Sequence, residues 1–315
     1  MNRKIDGTFF EFLHHNTAEG KYWNSALNGF GSSDWREKVR EIAGIGMEYI
    51  VIMATALYDK CYFKSEVYPF ADIPCEDPIE EILDEADKCG VKVFLGNGFY
   101  GDWRKAASNI KDKEVISRSF RAMEELAVLY AHHESFYGWY FPDESCIILN
   151  FSKDFTSYVN LCSAHCHSLT PEKKTLIAPY GTNLALPNSR YVHTLEKLDV
   201  DFIAYQDEVG VKKTKVDRTK RIFERLNKAH EKAGRAKLWA DIELFDFEGM
   251  VYKSALVPAK FERIEKQINN VAPYVDKILC YQYLGIMNPI DSKAFAGHND
   301  SALLYEQYNM HLRCK

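Results

Sequence analysis

Residues 238–245 read LWADIELF, an apolar run broken twice by acids. In a strand, successive side chains alternate between faces, so Asp241 and Glu243 share one face and Ile242 and Leu244 the other. A solvent-facing acidic stripe would not be framed by Leu, Trp and Phe. A carboxylate inside a strand covered on both faces is costly unless it is paired or put to use. The stretch therefore reads as a strand of a closed parallel barrel, apolar toward surrounding helices and acidic toward the barrel mouth.

Working outward, seven further runs have the same character: 7–12 (GTFFEF), 49–54 (YIVIMA), 91–97 (VKVFLGN), 136–141 (FYGWYF), 175–179 (TLIAP), 201–206 (DFIAYQ) and 277–283 (KILCYQY), with the seventh strand at 237–244. Several are almost continuously apolar, as strands of a helix-covered parallel sheet should be. Helical patterns lie between them, at 33–44, 77–89, 113–133, 152–168, 217–233, 258–272 and 300–313, with a short helix or loop over 185–198. Eight βα units predict a (β/α)8 TIM barrel of the α/β class, one domain spanning 1–315. No G-x-G-x-x-G follows the first strand, which argues against a dinucleotide site.

Composition narrows the function classes. The chain has 315 residues and a net charge of −5 with signs intermixed, so no basic block points to nucleic acid. No run of about 18 apolar residues points to a membrane. The opening MNRKIDGTFFEFLHH is too broken for a signal peptide. Eight cysteines (61, 75, 89, 146, 162, 166, 280 and 314) form no paired framework, so free thiols and a cytoplasmic location are expected, a secreted form with its leader removed being the alternative. Nothing in the sequence sets an oligomeric state.

In such barrels chemistry sits where strands end. The strand ends supply Glu11, His14 and His15, then Asn97 and Trp103, Asp143 and Glu144, Tyr180, Gln206 and Asp207, Asp241 and Glu243, and finally Tyr281 and Tyr283. Two groups dominate. GWYFPDE, 138–144, brings a carboxylate pair straight off an aromatic strand, with Pro142 ending the strand. LWADIELF puts its acids across the mouth from that pair. Glycoside hydrolysis needs two such carboxyls, one donating a proton and one attacking or activating water. Acids tied to Arg or Lys inside the barrel are the structural alternative. Trp103, Tyr180, Tyr281 and Tyr283 are candidate platforms for sugar faces.

Other clusters carry less. Cys162, His165, Cys166 and His167 do not share one helix face, so packing explains them better than metal. His132 and His133 suit a helix C-terminus. The run KKTKVDRTKR, 212–221, reads as a solvated helix face, with phosphate binding as the sharper alternative.

At GWYFPDE and LWADIELF, and also at GTFFEF, GMEYIVIM, KVFLGNGFYGDW and DFIAYQDEVGV, the chain resembles DUF4434, a bacterial family of glycosidase-like barrels, from about residue 7 to about 290. The resemblance implies a barrel similar to the large retaining glycosidase clan. It implies Glu144 as acid/base and Glu243 as nucleophile, with no cofactor and a carbohydrate substrate. Glu11, His14, Asn97, Trp103, Asp143, Tyr180, Gln206, Asp207, Asp241, Tyr281 and Tyr283 are the expected substrate contacts. The clan usually has Asn before its strand-four Glu, to hold the sugar 2-hydroxyl; here that residue is Asp143. Two rival readings follow: a carbohydrate-binding barrel without turnover, and a metal-dependent barrel enzyme with Glu11, His14, Asp207 and Asp241 as ligands.

Overall fold

The computed structural model describes residues 3–144 and 146–313. Cys314, one of the expected free thiols, lies outside the described residues; the other seven cysteines are free. Eight parallel strands close into a barrel: β1 (Gly7–Phe10), β2 (Tyr49–Ile52), β3 (Lys92–Gly96), β4 (Phe136–Tyr140), β5 (Lys174–Ile177), β6 (Phe202–Gln206), β7 (Lys237–Glu243) and β8 (Lys277–Tyr281), with β1 hydrogen-bonded to both β2 and β8. Each strand is followed by a helix: α1 (Ser32–Gly44), α2 (Pro78–Cys89), α3 (Lys113–Tyr130), α4 (Lys153–Leu169), α5 (Ser189–Lys197), α6 (Val216–Ala233), α7 (Phe261–Val271) and α8 (Ser301–Arg313). The barrel expected from the alternation of runs is the one observed.

Local chemistry sets most helix ends. Asp77 caps α2 by accepting from the Glu80 N–H (3.0 Å), Pro78 follows at the first helical position, and Gly90 ends the helix at φ 68°. Ser152 and Asn188 cap α4 and α5 in the same way. Two expected ends shift. α1 begins at Ser32, one residue earlier than expected, and is capped at Gly31, whose N–H donates to Asp34. α3 stops at Tyr130, so His132 and His133 lie beyond it. His133 instead bridges Asp87 (2.6 Å) and Glu80 (3.0 Å), because these acids project from α2 into the same turn.

The N-terminal half of the barrel is filled by rings. Trp239 stacks on Phe202 at 4.3 Å between centroids and meets Tyr49 at 5.1 Å and Phe94 at 6.2 Å. Lys277 joins Asp6 (3.2 Å) and Glu48 (2.8 Å), and Lys4 joins Glu48 (2.6 Å), tying β8 to the segments that open β1 and β2. This end is packed and cross-linked, so the open space lies at the other end. Trp239→Ala should cost about 3–5 kcal/mol, by lost burial and an unfilled cavity; denaturant unfolding of the variant measures it. No helix among the described residues is long and apolar enough to cross a membrane.

Candidate active site

At the C-terminal end of the barrel a cavity of about 700 Å3 opens, lined among others by Phe9, His15, Trp103, Glu144, Tyr180, Gln206, Lys213, Asp241, Glu243 and Tyr281. A hairpin of Phe245–Phe247 paired with Leu256–Pro258 extends one wall beyond β7 and contributes Phe245 and Tyr252.

Glu144 arrives four residues beyond the close of β4. Tyr140, the last residue of β4, packs edge-on against Phe9 at 5.3 Å inside the barrel and donates its O–H to Glu144 Oε1 (2.9 Å). Gln206, at the end of β6, donates to Glu144 Oε2 (2.7 Å) and to the Ala178 carbonyl (2.9 Å). The intervening loop closes tightly: a Cβ on Gly98 would stand 2.6 Å from Pro142, so only glycine allows that approach. Burial pushes the Glu144 carboxyl up to about 7, against the pull of its two hydrogen bonds and with a further push from Asp143. A carboxyl in that range holds a proton near neutrality and can give it away.

Glu243 is the last residue of β7, with Oε2 accepting the Val211 N–H (2.8 Å). Its own backbone is fixed from three sides. Asp207 accepts the Glu243 N–H (3.3 Å), while Gln267 and Arg263 donate to its carbonyl (3.1 and 3.2 Å). Gln267 also donates to Asp207 (2.6 Å). The 208–211 segment reaches β7 because residue 210 is glycine; a Cβ there would lie 2.6 Å from the Phe245 carbonyl oxygen and 3.0 Å from Glu243 Cβ. Burial, then the neighbouring Asp207, raise the Glu243 carboxyl.

Asp241 lies one pleat deeper, beside Gln206 on β6 and Leu279 on β8. It is 2 % exposed, and its Oδ1 has no hydrogen-bond partner. Burial first, then Glu243, Asp207 and Glu144, hold its carboxyl well above the usual range. Asp241 thus places on the cavity floor a carboxyl whose surroundings favour the protonated form, with an unused polar atom.

The residues expected at the site divide into two sets. Glu144, Glu243, Trp103, Tyr180, Gln206, Asp241 and Tyr281 line the cavity. Six others do not. Glu11 is buried behind it, accepting from Gln282 (2.7 Å) and Trp23 (3.2 Å). His14 is fully buried against Trp23, and it is His15 that reaches the cavity. Asn97 points into the helix layer at Met123 and Cys162, because it stands an odd number of residues after the inward-facing Phe94. Asp143 turns to Asn109 (2.9 Å) and Tyr158, so it does not stand where a sugar hydroxyl would sit. Asp207 is spent on the backbone of β7. Tyr283 donates to Glu41 on α1 (3.2 Å). His15 is among the strand-end residues; the missed wall residues include Lys213 and Tyr252, from loops that carry no strand periodicity, and Phe245, from the hairpin beyond β7.

The four ligands imagined for a metal do not converge. Among the described residues, Glu11 and His14 cluster with His15, whereas Asp207 and Asp241 join no such group. His14 is poorly disposed for a cation as well. Its Nδ1 accepts the Asn16 N–H (3.1 Å), which leaves the ring proton on Nε2, the atom that faces Glu19 at 3.6 Å.

Comparison with solved structures agrees on the architecture. A protein of Bacteroides thetaiotaomicron VPI-5482, provisionally assigned as an alpha-L-fucosidase, superposes with a TM-score of 0.77 at 18% identity, over 99% of this chain and 94% of that one. An endo-1,4-beta-mannanase of Rhizomucor miehei gives 0.58 at 11% identity, over 99% and 95%. A glycoside hydrolase family 5 mannosidase of the same fungus gives 0.57 at 10%, over 98% and 93%. At these identities the likeness is one of fold. No curated protein matches the chain in sequence. The family described as a domain of unknown function, DUF4434, matches residues 5–293, and the chain belongs to it.

Proposed function

We propose that the protein is a retaining glycoside hydrolase acting on an oligosaccharide or glycoconjugate. The observation that carries this reading is that Glu144 and Glu243 come off β4 and β7 onto one cavity. Among the described residues neither carboxylate is locked in an ion pair. Glu144 is held by a phenol and an amide, and Glu243 by a backbone N–H. Glu144 gives its proton to the glycosidic oxygen. Glu243 attacks the anomeric carbon and forms a glycosyl ester. Glu144 then takes a proton from the water that opens the ester, so that the two inversions restore the starting configuration.

The Val211 N–H favours the ionised form of Glu243, against the burial and the neighbouring Asp207 that raise its carboxyl. Asp241 can donate to a substrate hydroxyl from the floor, while Trp103, Tyr180 and Tyr281 offer ring faces to the sugar. No step calls for a cofactor.

The test is the anomer first released from an accepted glycoside, followed by proton NMR before mutarotation. Retention of configuration is expected. Release of the inverted anomer would remove Glu243 as nucleophile.

A further inference from the structure

Beside the cavity lies a second groove of about 500 Å3, between the loop after β5 and the first half of α6. Its cationic wall is Arg218, Arg221 and Arg225, spaced at three and four residues and so presented on one helix face. All three are exposed, and among the described residues no carboxylate lies within ion-pair distance of them. The nearest acid on that helix, Glu224, is turned to Lys228 at 2.7 Å. Arginines elsewhere on the surface, such as Arg36 and Arg40, are paired with α2 carboxylates.

Two observations make this more than a charged face. Thr214, 5 % exposed, lines the groove and has no hydrogen-bond partner for its Oγ1. Lys213 lines both the groove and the catalytic cavity, its ammonium set over the rings of Tyr180 (5.2 Å) and Tyr252 (5.6 Å). The groove and the cavity thus share Lys213 as a wall residue. Leu184 and Ile222 give it an apolar side, as a pyranose face requires.

We propose that the groove is a subsite for an anionic substituent, a carboxylate or a sulfate, on the part of a sugar chain that runs out of the cavity, so that the substrate is an acidic oligosaccharide. The inference rests on the glycosidase reading of the cavity. Guanidinium groups match planar and tetrahedral oxyanions with paired N–H donors, and the first turns of a helix add a positive field. The Thr214 hydroxyl supplies a neutral donor between them.

Calorimetric binding to the full chain carrying Glu144→Gln tests this, with two matched pairs of probes. One is a tetragalacturonide and its methyl ester; the other is a sulfated carrageenan tetrasaccharide and its desulfated counterpart. At low salt at least one charged member should bind about tenfold more tightly than its neutral match. Which pair shows the preference identifies carboxylate or sulfate. In the Arg218→Ser/Arg221→Ser/Arg225→Ser variant the preference should vanish while the neutral probes bind as before; a thermal melt checks that this exposed triple change leaves the fold intact. No preference in either pair, or one that survives the triple change, overturns the proposal. Turnover without charge preference would remove the subsite and leave the glycosidase reading standing. Charge preference lost in the triple variant, with no turnover of any glycoside by the unaltered chain, would do the reverse.

Discussion

Glu144→Gln lowers kcat on glycosides with poor leaving groups by about 10²–10⁴-fold, the contribution of a positioned proton donor. On aryl glycosides whose phenol leaves without a proton, the loss in the bond-breaking step is far smaller. The difference between the two substrate types assigns the acid, because a merely structural role would slow both alike. The pH profile moves with it. Glu144 must be protonated to act, and its carboxyl titrates at about 7, so kcat/KM falls as pH rises through that value. In the Gln variant this alkaline limb disappears. Glu243 must be ionised, so the acidic limb, displaced upward by burial and Asp207, is its own and remains. Glu243→Gln is the harsher change, since no other carboxyl is held by the Val211 N–H to replace it. Activity should fall to background on both substrate types, with the melting temperature kept. Equal losses on both substrate types in the Glu144 variant, or unaltered turnover in either variant, removes the assignment.

The barrel and the inward acids of β7 are legible in the sequence for one physical reason, strand periodicity, whereas Glu144 lies in the loop beyond β4. A strand covered by helices must be apolar on its outer face, so an acid inside it must look inward. That holds for Asp241 and Glu243 within β7. It also accounts for Asn97: with Phe94 among the interior rings, alternation sends Asn97 out to the helix layer. It fails past the strand ends. Tyr283 lies two residues beyond the close of β8 and by simple alternation should follow Tyr281 inward; it turns to Glu41 instead. The neighbouring pairs His14 and His15, Asp143 and Glu144, and Gln206 and Asp207 each send one member to the cavity and one to the scaffold. Which member goes where is settled by partners far off in sequence, such as Asn109 and Gln267. The donor on Glu243 is a backbone N–H made available by Gly210, and no side-chain motif records it.

Asp241→Asn should stabilise the protein at alkaline pH, by on the order of 5 °C in melting temperature at pH 8. In the folded state the Asp241 carboxyl keeps its proton well above the usual range, chiefly through burial and then through Glu243, Asp207 and Glu144. In the unfolded chain it loses that proton near about 3.9. Between those points the folded state binds more protons, so stability declines as pH rises. The contribution is fully present below the unfolded value and is lost toward the folded one. Glu144 and Glu19, both at about 7, and Asp143 at about 6 act in the same sense. Replacing the Asp241 acid with its neutral isostere removes this titration, so the variant's advantage should be large at pH 8 and small at pH 5. Calorimetric melts at the two values measure it. A variant equally destabilised at both would mean that Asp241 is an ordinary packing residue. If the advantage is found, the protein carries on its cavity floor a protonated acid that weakens the fold at pH 8, and whose remaining physical use is to donate its hydrogen to whatever enters. Asn keeps a donor there, so KM should change little, whereas Asp241→Leu should raise it.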